Sequence, residues 1–160
     1  MKDIDLIEIQ ELNSRKIIAQ KLHEAHKSVP GNILVDDVSM ELAALGNFPG
    51  PLIRWFREAL DCKTIYLVAK RLGNTRIDTI CTIGLLYHGK EYFFEARVPM
   101  TLVSPRGSNG FGLDPILQPT GCKKTMGQMD TEEKNRFSHR GKALEKVRRF
   151  LEQKERASRT

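Results

Sequence analysis

The sequence predicts one α/β domain, a mixed central sheet flanked by helices. Three observations carry that prediction. The chain has 160 residues, the size of one domain and not of two. Its helix-like and strand-like segments are interspersed, in the order helix, strand, two helices, hairpin, loop, helix. Hydrophobic residues make up 40% and charged residues 29%, the balance of a folded globular chain, with no internal repeat, low-complexity run or Pro/Ser-rich linker. The expected domain therefore spans residues 1–160, with a frayed basic tail over 152–160.

Each element has a local reason. Ser14 to Lys27 reads as a helix capped by Ser14, with Ile17, Ile18, Lys21, Leu22 and Ala25 on or beside one face. Val29-Pro30-Gly31 stops it. Ile33-Leu34-Val35 fits a short buried strand with Asp36-Asp37 at its carboxyl end. Gly46 to Pro51 is a turn-rich loop, and Pro51 opens a helix carrying Leu52, Ile53, Phe56 and Leu60. A further helix fits Thr64 to Leu72, striped by Ile65, Val68, Ala69 and Leu72 and stopped by Gly73-Asn74. Ile77 to Tyr87 and Glu91 to Val103 read as a hairpin around His88-Gly89. Ser104 to Gly112 is a loop, and a last helix starts near Ser138 with Ala143, Leu144, Val147, Phe150 and Leu151 as its apolar stripe.

Composition excludes several classes. No apolar run of about 18 residues, the length that crosses a bilayer, occurs. The first ten residues carry early acids and lack the apolar core of a secretory signal. Cys62, Cys81 and Cys122 are odd in number and widely spaced, so the expectation is small buried thiols in a reducing, cytoplasmic compartment. His23 and His26 read as a solvated helical pair, His88 as a turn residue, and Trp55 as core or interface.

The formal charge is +6, and it is uneven. Residues 134–160 hold 10 basic and 3 acidic side chains, so the whole positive excess lies there. Such a block fits an anion site or a solvated helix face.

Three constellations stand out. Adjacent carboxylates at Asp36-Asp37 repel unless a cation lies between or beside them, and hard oxygens of this kind suit Mg²⁺. Alternatively they begin a turn or cap a helix at Val38. Ser138-His139-Arg140, with Lys134 and Lys142, puts cations at a helix start, where the dipole disfavours each by roughly a few tenths of a kcal/mol. A phosphate bound there satisfies both the cations and the helix N–H groups; compensation by Glu132 and Glu133 is the alternative. Arg106 to Gly112 is a glycine-rich loop in which Phe111 is suited to stacking on a base. It matches neither the phosphate loop nor the dinucleotide fingerprint, and a glycine-rich loop anchored by one Phe would look the same.

Read in order, these stretches resemble the inosine triphosphate pyrophosphatase family. The matching segments are DLIEIQ (Asp5 to Gln10), LVDDVSMEL (Leu34 to Leu42), GNFPGPLIRWF (Gly46 to Phe56), SPRGSNGFGLDPILQPTG (Ser104 to Gly121) and EEKNRFSHRGKAL (Glu132 to Leu144). The FPGP, GFG-x-DP and SHRGKAL segments together are specific. The resemblance implies an elongated α/β fold, two lobes with a substrate cleft between them, and a homodimer. It implies Mg²⁺-dependent hydrolysis of non-canonical purine nucleoside triphosphates to monophosphate and pyrophosphate. Glu8 and Asp37 then resemble the metal carboxylates, with Asp37 also activating water. Asp36 stands where the family often has Glu. Lys21, Lys134 and Arg140 resemble phosphate- or base-contacting cations. Phe111 resembles the purine-stacking residue, and Asp114, Ser138, His139 and Arg140 resemble the readers of a 6-keto base.

The sequence also departs from the family pattern. Family members begin with a strand, a T/S-G-N-x-x-K loop and a helix, and no such motif occurs here. The resemblance therefore implies an N-terminally truncated form, short by about 30 residues or more, with an exposed sheet edge and an unfilled core. A late start codon, a shortened gene product and a second polypeptide supplying the unit each account for that. Leu113 replaces the usual Trp, which removes aromatic area near the base pocket, and Met126 stands where an aromatic is common. Two competing readings are a catalytically incomplete homologue acting as a weak nucleotide-binding or interaction module, and a nucleic-acid binder using the basic last helix. The latter leaves the carboxylates unexplained, so nucleic acid is not the expected partner.

Overall fold

A computed structural model describes residue 6 and residues 8–158. Asp5 and Ile7 of the matched DLIEIQ segment, and Arg159 and Thr160 of the basic tail, lie outside the described residues.

The first helix, α1, spans Ser14–Ser28. Its cap is Asn13, not Ser14: the Asn13 side chain accepts from the amides of Arg15 and Lys16, while Ser14 is already helical. Strand β1 runs Ile33–Leu42, ten residues where three were expected. Val38, Met40 and Leu42 continue an alternation beyond the acids, and all ten residues pair with a neighbouring strand. Asp36 and Asp37 are therefore mid-strand, and neither starts a turn or caps a helix.

Short strand β2 (Pro49–Gly50) precedes helix α2 (Ile53–Ala59), and Asp61 caps helix α3 (Cys62–Arg71). Leu72, expected on the buried stripe, is 56% exposed beyond the end of α3. Strands β3 (Arg76–Tyr87) and β4 (Lys90–Leu102) form the expected hairpin. Both turn residues, His88 and Gly89, have positive φ, as a two-residue hairpin requires. Strand β5 (Leu117–Pro119), helix α4 (Thr131–Asn135) and helix α5 (His139–Ser158) complete the chain.

The sheet order is β2-β1-β3-β4-β5. Every pairing among the described residues is antiparallel, where a mixed sheet was expected. The interspersed helices suggest parallel crossovers, yet α2 and α3 return the chain to β1's neighbour in the opposite sense.

Helix α1 covers one face of the sheet and α5 the other. Gly84 of β3 permits the first contact: a Cβ there would fall 2.3 Å from Ile18 Cγ2. Ile18, Leu22 and Ala25 close this layer over Ile33, Val35 and Leu86. On the opposite face Ala143 and Val147 pack on Cys81, Ile83, Leu85 and Ala96. Leu144 lies off that stripe, 44% exposed. A third core, at the far end of the strands, includes Leu42, Ile65, Ile77, Met100, Leu113 and Ile116.

Strand β1 meets β2 only at Met40 and Glu41. Its outer edge from Ile33 to Ser39 has no strand partner among the described residues, and Leu34 is 46% exposed along it. A groove of about 1290 Å³ opens there.

Candidate functional site

Adjacent residues of a strand point to opposite faces, so the paired acids separate. No single cation can lie between Asp36 and Asp37 in the way the sequence suggested. Asp37 faces α1 and Asp36 faces α5.

On the α1 side, the Lys21 ammonium is buried and lies 2.6 Å from Glu8 Oε1 and 3.5 Å from Asp37 Oδ1. It also donates to the Asp36 carbonyl at 3.0 Å. The two carboxylates that converge are thus Glu8 and Asp37, and a positive charge already sits between them. Asp37 Oδ2 is buried with no hydrogen-bond partner. Burial pushes the Asp37 carboxyl above its ordinary range, against the pull of Lys21. Among the described residues no three His, Cys, Asp or Glu side chains gather as a complete metal shell. Two carboxylates and an orphaned carboxylate oxygen do match the usual protein share of a Mg²⁺ site, in which substrate phosphates and water supply the remaining ligands.

On the α5 side, Asp36 Oδ2 accepts from Arg140 Nε at 2.8 Å. Arg140 is therefore tied to a carboxylate, not left beside compensating Glu132 and Glu133. Glu133 pairs with Lys124 at 2.6 Å and boxes the start of α4 with Asp130. Ser138 Oγ accepts from the Gly141 amide at 2.9 Å, so it caps α5 as expected. His139 is half-buried beside it. Burial and, secondarily, the Arg140 charge hold its imidazole below the usual histidine range, so it is neutral at pH 7.

The glycine-rich loop is tied to α4. Lys134 Nζ lies 2.9 Å from Asp114 Oδ2 and donates to the Asn109 carbonyl at 3.0 Å. The Phe111 amide donates to Asp114 Oδ2 at 3.2 Å. Gly110 makes this closure possible: its φ is +92°, and a Cβ there would lie 2.0 Å from both Asp114 Oδ2 and Lys134 Nζ. Phe111 projects from the loop, 77% exposed. Leu113 turns inward, 3% exposed in the third core, so it is a packing residue. Met126 joins the same core.

The predicted residues thus form two groups. Glu8, Lys21 and Asp37 line the groove along β1. Phe111, Asp114, Lys134, Ser138, His139 and Arg140 gather around the loop and the start of α5, and Asp36 joins the groups by lining the groove and holding Arg140. Trp55 was expected in a core or an interface; it is 51% exposed and lines the groove beside Arg54. The guanidinium of Arg54, with its Cζ 5.2 Å from the Trp55 ring centroid, was not singled out in the sequence, although its place next to an aromatic was visible. His23 and His26 lie exposed on α1.

The Ham1 family model matches residues 1–150. The chain is 36% identical over 152 residues to the inosine triphosphate pyrophosphatase of Schizosaccharomyces pombe (strain 972 / ATCC 24843), covering 94% of this chain and 80% of that one. Identity is 33% over 151 residues to the protein of the same name from Puccinia graminis f. sp. tritici, covering 94% and 78%. It is 32% over 148 residues to the dITP/XTP pyrophosphatase of Hyperthermus butylicus, covering 92% and 78%. In structure it is similar to the Staphylococcus aureus Ham1 protein, with a TM-score of 0.79 at 28% identity, over 95% of this chain and 82% of that chain. A HAM1 protein from Coxiella burnetii aligns with a TM-score of 0.78 at 25% identity, over 92% and 82%. Matched by the family model along most of its length, and by relatives of this identity along nearly all of it, the chain belongs to the Ham1 family.

Proposed function

We propose that this chain hydrolyses non-canonical purine nucleoside triphosphates (inosine, deoxyinosine and xanthosine triphosphates) to the monophosphate and pyrophosphate, with Mg²⁺. The observation that carries the reading is the convergence of Glu8 and Asp37 on one cationic point inside an open groove. Relatives named inosine triphosphate and dITP/XTP pyrophosphatase support the substrate class.

Glu8 and Asp37 would hold the metal, and Mg²⁺ when bound supplies charge stabilisation for the departing pyrophosphate. Asp37, with a buried carboxyl of raised proton affinity, takes a proton from the attacking water. Lys21 holds both carboxylates in place and offsets one of their two negative charges. Lys134 and Arg140, each now on a carboxylate, are the cations within reach of phosphate or base. Neutral His139 keeps one ring N–H to donate to a 6-keto oxygen, beside Asp114 and Ser138. Phe111 offers an exposed ring for stacking. A homodimer in the cytoplasm belongs to the same reading.

Asp37→Asn tests it. The variant keeps the fold, and its pyrophosphate release falls by 10²-fold or more on the order expected for loss of a general base. Turnover equal to the parent's would remove Asp37 from the reaction. The edge of β1 from Ile33 to Ser39, without a strand partner among the described residues, favours a second reading, a catalytically incomplete homologue that binds nucleotide weakly. Nucleotide binding without pyrophosphate release from the folded chain would establish that second reading.

A further inference from the structure

We infer that Thr82 is a positioning residue for Asp37: its hydroxyl supplies the hydrogen bond that the buried Asp37 Oδ2 lacks, directly or through one water. The inference deepens the proposed reaction and rests on that reading for its catalytic part.

Among the described residues three buried side-chain oxygens lack partners, Asp37 Oδ2, Thr82 Oγ1 and Asp78 Oδ1, and the last lies four residues along β3 from Thr82, opposite Glu41. Asp37 and Thr82 stand directly opposite each other in the β1–β3 register. Opposite side chains of an antiparallel pair share a face, with Cβ atoms about 4.5–5.5 Å apart. That face is the one under α1. Gly84, two residues along β3, meets Ile18 of α1, and Lys21 of the same helix reaches Asp37. Thr82 is 2% exposed, so bulk water does not satisfy its hydroxyl.

A buried hydroxyl and a buried carboxylate oxygen side by side satisfy each other, because the hydroxyl donates and the carboxylate only accepts. One water between them does the same at nearly equal strength. The bond fixes the plane of the carboxylate and keeps Oδ1 turned toward Lys21 and Glu8. This is the outer-shell support that ligating carboxylates need in order to keep their aim. An ordinary packing threonine would be served equally well by valine, which has the same shape and no unsatisfied polar atom.

The experiment compares Thr82→Val and Thr82→Ser with the parent chain. Mn²⁺ binding is followed by paramagnetic resonance without nucleotide, alongside urea stability, kcat and KM for inosine triphosphate. In Thr82→Val, Mn²⁺ affinity and kcat fall by about 10- to 100-fold. KM moves less than about twofold, stability falls because the buried Asp37 Oδ2 loses its donor, and Thr82→Ser recovers most of each loss. Thr82→Val with parental Mn²⁺ affinity and kcat overturns the inference, as does Thr82→Ser as impaired as valine. A parent chain that binds no Mn²⁺ overturns it too. Thr82→Ala is read by the same criteria if valine does not fold. A parent chain that binds Mn²⁺ more tightly than Thr82→Val yet turns over no nucleotide refutes the proposed reaction and supports the role of Thr82.

Discussion

Replacing Lys21 by Met removes the ammonium that, among the described residues, holds Glu8 and Asp37 together. Methionine keeps the length and apolar stem of the side chain, so the loss is electrostatic. The two contacts are unequal. Glu8 is 55% exposed at its side chain, so water replaces most of what Lys21 gives it, and that contact is worth a few tenths of a kcal/mol to about 1 kcal/mol. Asp37 is 12% exposed at its side chain, with one oxygen already unpartnered. Breaking a buried pair on one side leaves a buried charge uncompensated, at about 3–5 kcal/mol. The lower end applies here because Asp37 lines an open groove and can hold its proton. A loss of about 3 kcal/mol at pH 7.5 lowers Tm by about 6–12 °C for a domain of this size. The sign with pH follows. Lys21 favours the ionised Asp37, so the penalty is complete where that carboxyl would be charged and shrinks as pH falls and the carboxyl, its proton affinity raised by burial, takes up its proton. Urea denaturation at pH 7.5 and pH 4.5 measures both values. The same substitution in an Asp37→Asn background costs less by about 1–3 kcal/mol, the size of a direct coupling. A loss under about 0.5 kcal/mol at pH 7.5, or equal losses in both backgrounds, would refute the buried-pair reasoning.

Three further outcomes are expected. Phe111→Ala raises KM for inosine triphosphate about tenfold, consistent with loss of one stacking partner, and leaves Tm unchanged because the ring is exposed; an unchanged KM would place the base elsewhere. Gly110→Ala forces a side chain into a positive-φ site against Asp114 and Lys134 and costs about 1–3 kcal/mol, read by thermal unfolding; a neutral effect would show that the loop is not tied down. His139 has a depressed proton affinity when folded, so the unfolded chain binds the proton first as pH falls through about 6.5. Tm of the parent therefore drops more steeply below that pH than Tm of His139→Gln, and parallel curves would show that His139 is solvated.

Much of the fold was legible because periodicity carries it. The α1 stripe of Ile17, Ile18, Leu22 and Ala25 and the long β3–β4 hairpin stand close to where apolar spacing and turn residues put them. The length of β1 was harder to read. Its alternation continues through Val38, Met40 and Leu42, but Asp36 on the apolar α5 face looks like a strand end until Arg140, 104 residues away, is seen to meet it. Sequence cannot show such long-range compensation. The antiparallel sense of the sheet was hidden for a related reason, since helices between strands resemble crossover units. The candidate site residues were named largely through motif resemblance. What sequence could not supply was their division between the two faces of β1, which follows from strand geometry once Asp36 and Asp37 are known to be mid-strand. Asn13 and Ser14 are both good caps, and only backbone geometry chose between them.

The most direct test of the central claim is product identity. The folded chain is incubated with Mg²⁺ and either inosine triphosphate or adenosine triphosphate, and the products are resolved by phosphorus NMR. The account predicts inosine monophosphate and pyrophosphate, with adenosine triphosphate left largely intact. Inosine diphosphate with inorganic phosphate, equal consumption of both nucleotides, or no turnover would contradict it.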